Sequence, residues 1–453
     1  MKIMNVNIKW HIAFAIICII SIIGLFWEQD TSFNNLLFNA IDSIDKADTA
    51  WLLTSSCLVL LMTPGLSFFY GGMVGSKNVI STMLQSFICL GVISLIWIAF
   101  GFSLAFGDSS LTVNLDGNTY GLIGNFSQYA FFDQVGLYPH KVIASSIPFA
   151  LFAMFQMKFA IITPALITGS FAERVRFVSY LLFICLFSII IYTPLCHAVW
   201  HPNGLLGGYF GVKDFAGGTV VHMSAGIAAL AGALYIGKRK KVHHTPTNIP
   251  FVLLGTGMLW FGWFGFNAGS ALAADGTSAM AFATTTAASA AGMITWIFFD
   301  RVNGRKVSAL GACIGTVVGL VAITPAAGFV SISESIFFGF ITSIVSNIFM
   351  NLSFLKKIDD SLDVFACHGI GGIMGMILTA IFAHGENASL LHGGWNVFGH
   401  HMIALAIVFL LTFIGSILLF KITDIIIPLR VSQKSEEVGL DISQHNESIS
   451  NSF

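Results

Sequence analysis

The sequence predicts an all-α integral membrane protein: eleven transmembrane helices in two inverted five-helix halves plus one helix, preceded by a signal peptide or an extra helix. Three observations carry that prediction. Only 9% of the 453 residues are charged and 56% are hydrophobic, against about 25% and 45–50% in soluble chains, and the mean hydropathy is +0.84. Apolar stretches of about 18 residues or more recur along the chain, each long enough to cross a bilayer as a helix. The basic residues between them alternate from one face to the other. A soluble enzyme, a nucleic-acid binder and a disordered regulator are all excluded, and a net charge of −1 exerts no pull on nucleic acid.

Taken in order, residues 1–27 place Lys2 and Lys9 before an apolar run from Ile12 to Trp27, the pattern of a signal peptide or an additional transmembrane helix. Residues 28–47 follow as a short exterior segment. Residues 48–424 form the membrane domain, with spans near 49–73, 78–106, 142–169, 177–199, 216–237, 250–272, 277–299, 307–325, 333–355, 364–383 and 400–424. A long exterior loop occupies 107–141, and residues 425–453 form a polar cytoplasmic tail. Lys77, Arg174, Arg176, Lys238 to Lys241, Arg301, Arg305, Lys306, Lys356, Lys357, Lys421, Arg430 and Lys434 collect on one side. Lys46, Lys141 and Lys213 lie on the other. Positive charge stays inside, so the C-terminus is expected in the cytoplasm of a cell whose inner or plasma membrane the chain spans. The seven Cys lie mostly within apolar segments and read as small packing residues, with no metal or cofactor implied.

Ionisable groups within lipid are costly and mark function. Eleven of the thirteen His fall in loops or at helix ends, where water is expected to satisfy them. His222 and His368 do not. Each lies in the first half of its span among small residues, on the fifth and tenth spans, which divides ten spans into two halves of five. Five is odd, so the second half enters the membrane upside down, and inverted repeats place their site between the halves near the midplane. The plainer reading is that each imidazole simply hydrogen-bonds a neighbouring helix. A path with two imidazoles and no acidic ring suits a metal ion poorly, since losing its hydration costs several kcal/mol. A weak base can shed its proton instead, because burial depresses such pKa values by up to about 3–5 units, and imidazole can relay that proton.

Several longer motifs then resemble one family. They are Phe155-Gln-Met-Lys-Phe159, running on to Glu173-Arg174; Asp214-Phe-Ala-Gly-Gly-Thr-Val-Val-His222; Gly262-Trp-Phe-Gly-Phe266-Asn-Ala-Gly-Ser270; Leu310-Gly-Ala-Cys313; and Asp363-Val-Phe-Ala-Cys-His368-Gly. The chain resembles the Amt/Mep/Rh ammonium transporters, on the Amt branch, over residues 48–447. The resemblance implies a homotrimer with one pore per subunit that carries ammonium, entering as the cation and passing deprotonated. A sensor of ammonium with the same fold is the alternative, and catalysis is not implied. By the same resemblance Phe155, Trp200 and Ser270 form a recruitment site, where aromatic faces offer about 0.5–2 kcal/mol of cation–π attraction. Phe159 and Phe266 form a pore gate, His222 and His368 are the pore histidines, and Trp263 and Tyr192 support the pore wall. With 43 Phe in the chain, only the motif separates those named from rings that face lipid.

Asp214 and Asp363 each precede a histidine helix and are expected to cap it. Lys158 departs from the pattern: facing the vestibule, it would repel a cation. The tail from Pro428 to His445 resembles the family's C-terminal motif, and its Glu436, Glu437 and Asp441 complement Lys238 to Lys241. The resemblance further implies that the tail couples subunits and that the cytoplasmic face accepts a PII-type signal protein.

Overall fold

The computed structural model describes residues 2–27, 44–240, 245–385 and 389–449. Helix α1 (Lys2–Phe26) is continuous, and Ile12, Phe14, Ile16 and Leu25 on it are exposed. Its C-terminal end meets the bundle where Trp27 lies against Phe131. Most of the expected exterior segment 28–47 lies outside the described residues, and only its end appears, where Asp45 accepts the amides of Ala47 and Asp48 and starts the next helix.

Among the described residues, ten helices are long and apolar enough to span a bilayer: α2 (Lys46–Met73), α3 (Val79–Phe106), α4 (Phe149–Phe171), α5 (Phe177–Trp200), α6 (Gly218–Ile236), α7 (Ile249–Ala271), α8 (Gly276–Val302), α10 (Ile332–Asn351), α11 (Phe365–Phe382) and α12 (Trp395–Ile426). The eleventh expected span is α9 (Ala309–Ile323), only 15 residues long. At 1.5 Å per residue it covers roughly 22 Å. Ser308 caps its start, Pro325 stands just past its end, and nearly all of its side chains are buried within the bundle. Capping boxes set other starts: Asp275 with Ser278 opens α8, and Ser331 with Glu334 opens α10, each satisfying amides that helix geometry leaves free.

Burial sorts the helices. In α6, 83% of the spanning window is buried, and in α4 78%, whereas α8 buries 33%. The rest of α8 shows apolar side chains such as Phe282 and Phe298 outward, as a helix facing lipid must. Helices α4, α6 and α11 therefore form the centre.

The long loop after α3 contains an element the hydropathy pattern did not predict. Strands β1 (Ser109–Leu115) and β2 (Asn118–Gly124) pair antiparallel, with Val113 opposite Tyr120 and Leu115 opposite Asn118. The connecting Asp116 and Gly117 both have positive φ, the two-residue turn that Asp-Gly favours. On the basic face the tail is also ordered. Leu429 accepts the Arg176 amide and Val431 donates to Arg174, extending the chain beside the start of α5, and α13 (Gln433–Val438) follows.

Candidate functional site

The site is built where α6 meets α11. Both helices begin with a π-helical turn, Gly218–Met223 and Phe365–Ile370, and each turn carries one of the two histidines. Such turns widen a helix by one residue and recur at functional sites. They can approach because small residues face each other. A Cβ added to Gly226 would stand 2.0 Å from the Gly369 nitrogen, and one on Gly372 would stand 2.9 Å from that of Met223. This reciprocal crossing brings the two imidazoles together, with 3.3 Å between His222 Nδ1 and His368 Nδ1. The rings are 5.4 Å apart and 28° from parallel. Two nitrogens at that distance share one proton, so one ring donates and the other accepts. The Nε2 of His222 is buried and makes no protein hydrogen bond.

Around them the cavity is apolar. Leu66, Ile162, Leu259 and Val317 line it together with the two imidazoles. Trp263 stacks on His222 at 5.2 Å and donates from Nε1 to Thr324, so it is part of the wall. A second cavity continues past His368 toward the basic face, lined by Tyr70, Ile314 and Cys367. On the other side Phe159 and Phe266 lie against each other, with ring centres 4.2 Å apart.

Beyond that pair lies a vestibule with about 650 Å³ of empty space. Trp200 lines it and meets Phe159 edge-on at 5.8 Å. Its Nε1 donates to the Asp214 carbonyl, which fixes the indole. Ser270 also lines it and donates to the Phe266 carbonyl, leaving its oxygen lone pairs as acceptors. Phe155 is different: it is fully buried, sits edge-on behind Phe159 at 5.0 Å and does not line the vestibule. Phe106, Phe152 and Phe215 do. Phe152 lies seven residues before Phe159, two helical turns along one face, a signal the sequence carried.

The two aspartates part company. Asp214 caps α6 as expected: one carboxylate oxygen accepts from Gly217 and Gly218, and the other from the Thr219 amide and hydroxyl. With these four donors and the Val220 amide on two oxygens, little is left for a cation. Asp363 is not the corresponding cap. Asp360 takes that role by accepting the Phe365 amide at 2.7 Å, while Asp363 turns the chain at φ 56. Burial pushes the Asp360 carboxyl up to about 6 and that of Asp363 up to about 8, with Asp360 adding to the latter.

Tyr192 is fully buried on α5 and packs against Trp97 at 6.3 Å. It does not reach the cavity that His222 and His368 line. Trp97 in turn donates to the Ala153 carbonyl, so Tyr192 supports α4 from behind. Lys158 lines neither the vestibule nor the histidine cavity.

The expectation that water satisfies the other eleven histidines fails. His197 and His401 are as buried as His222 and His368 and are held by protein. His197 bridges Ser109 and the Ala105 carbonyl, tying β1 to α5. The expected pairing of the acidic tail with Lys238 to Lys241 is also redistributed, so far as that loop is described. Arg239 pairs with Glu173 and Asp359, Glu436 takes Arg430 and the Lys240 amide, and Asp441 accepts the Ile80 and Ser81 amides.

Residues 50–449 match the family model of the Ammonium Transporter Family. The chain belongs to that family. The ammonium transporter of Bacillus subtilis is 42% identical over 413 residues, which span 89% of this chain and 98% of that protein. The one from Aquifex aeolicus is 41% identical, over 92% of this chain and 96% of its own. Among solved structures, Saccharomyces cerevisiae Mep2 superposes with a TM-score of 0.79 at 33% identity, covering 86% of this chain and 88% of its own. A sensor Amt protein gives 0.80 at 29%, covering 88% and 98%. This member of the family is a multi-pass membrane protein built for transport and not for catalysis, and the eleven spans expected from its sequence are compatible with the helices described above.

Proposed function

We propose that this family member carries ammonium across the membrane, recruiting the cation in the vestibule and passing it deprotonated between Phe159 and Phe266 to His222 and His368. The carrying observation is the imidazole pair in a buried apolar cavity, one nitrogen of which has no protein partner. A cation entering that cavity would lose its water with no carboxylate to replace it, whereas the neutral amine enters at lower cost and its proton has an imidazole relay. In the vestibule the Trp200 and Phe159 faces and the Ser270 oxygen suit a small cation. Phe155 acts in this reading by backing Phe159. The basic face is cytoplasmic by its charge, the tail on that face is regulatory, and the family resemblance adds a homotrimer whose inner face receives a PII-type protein.

The test is reconstitution into liposomes and recording of ammonium-evoked current. Replacing both His222 and His368 with Ala should lower selective transport on the order of 100-fold, the range of a positioned proton-transfer group. Full, still selective transport by the double variant would sink the relay. The likeness to a sensor Amt protein supports a second reading, which saturable ammonium binding without current in the wild-type protein would favour.

A further inference from the structure

His401 stands on α12, outside the pore, and is completely buried. Its Nε2 accepts the backbone amide of Lys213 at 3.0 Å. An imidazole that accepts there is neutral, with its proton on Nδ1, which is buried without a hydrogen-bond partner among the described residues. The neighbouring His400 holds the Phe210 carbonyl through Nδ1 at 3.1 Å. Two consecutive imidazoles thus grip the segment that leads into the pore helix. That segment matters because of the residue that follows Lys213. Asp214 accepts the Trp200 indole on its carbonyl and the first amides of α6 on its carboxylate. One residue therefore fixes both the aromatic wall of the vestibule and the start of the helix bearing His222.

We infer that His401 is a positioning residue for cation recruitment: by holding the Lys213 amide it sets Asp214, and through the Asp214 carbonyl it sets the face that Trp200 presents to the vestibule. The inference rests on the recruitment role proposed for Trp200. Loss of the imidazole loosens the Lys213–Asp214 backbone on the side away from the pore. The indole then loses its fixed orientation, whereas the Asp214 carboxylate keeps its bonds to the first amides of α6, so the gate and the histidine pair keep theirs. Affinity should fall and maximal rate should not. A purely structural role would lower protein abundance or maximal rate instead.

The experiment measures the half-saturating ammonium concentration and the maximal current in liposomes for wild type, Trp200→Leu, His401→Leu, His401→Gln and the double variant Trp200→Leu/His401→Leu. Trp200→Leu should raise half-saturation about two- to fivefold, the worth of an exposed cation–π contact. His401→Leu should raise it by a similar factor at unchanged maximal current. His401→Gln should restore wild-type behaviour, because its amide oxygen reaches the position of Nε2. The double variant should match Trp200→Leu alone, since residues acting through one another are not additive. If His401→Leu does not accumulate, His401→Asn, too short to reach the Lys213 amide, replaces it. An unchanged half-saturation in His401→Leu beside a shifted Trp200→Leu overturns the inference alone, as does full additivity in the double variant. An unshifted Trp200→Leu overturns the recruitment reading and this inference with it.

Discussion

Asp363 shows how one carboxyl can tax stability in a pH-dependent way. It ionises near 3.8 when free, and burial holds it protonated up to about 8 in the folded chain. Between those values the native state binds a proton that the unfolded chain has released. Stability therefore falls as pH rises through that window and levels off above it. Asn tolerates the left-handed backbone found here and cannot ionise. The melting temperature of Asp363→Asn in detergent should exceed wild type by a margin that widens from pH 5 to pH 8, and a constant margin would contradict the assignment. At this scale the sequence was legible wherever spacing alone decided the outcome. Asp214 stands just before Gly-Gly-Thr and caps as expected. Asp360 was missed because the chain turns at Asp363, and no spacing rule reveals which of two nearby aspartates faces the free amides. His401 was missed for a related reason: its position at a helix end suggested water, and only the packing of α12 against the Lys213 segment removes it.

The helices were legible because a bilayer demands length and apolarity, both of which composition reports. The hairpin was not, since its strands are short and β1 is mostly exposed, although Asp116-Gly117 carried the turn signal. What no hydropathy profile conveys is the crossing of α6 and α11. Gly226→Ala would press a methyl group against Gly369 from 2.0 Å and must part the two π-helical turns. Overpacking of this kind costs about 1–3 kcal/mol, so a lowered melting temperature together with lost transport is expected. A methyl group added at Gly257 on α7 would meet nothing within 4 Å, and Gly257→Ala should cost neither. If both variants behaved alike, the glycine contact would not be what joins the histidines.

Across the whole molecule, the basic face is knitted by the tail. Asp441 closes the start of α3, Asn78 accepts the Leu440 amide, and Gln444 accepts that of Phe177 at the start of α5. The ends of two spanning helices therefore depend on residues more than 260 positions away. Asp441→Ala should cost about 0.5–2 kcal/mol, the worth of a helix cap, and should make the tail more readily cut by protease. Truncation after Leu429 should go further and lower transport at equal surface abundance, while membrane insertion proceeds because the spans are intact. Wild-type current from the truncated protein would mean that these bonds tidy the chain end without regulating it. The sequence aimed the tail's acids at the basic loop, yet Asp441 takes backbone amides of α3 and Glu436 takes Arg430 together with the Lys240 amide.

The hairpin tip offers a use of a different sort. Gly117 projects with nothing within 4 Å of an added side chain, and Leu111 and Val113 beside it are exposed. Such tips accept insertions readily. An epitope spliced between Asp116 and Gly117 would stand clear of the bundle and become a flag visible from one aqueous compartment only. Antibody staining of intact cells, compared with permeabilised ones, would then read the sidedness of the molecule directly.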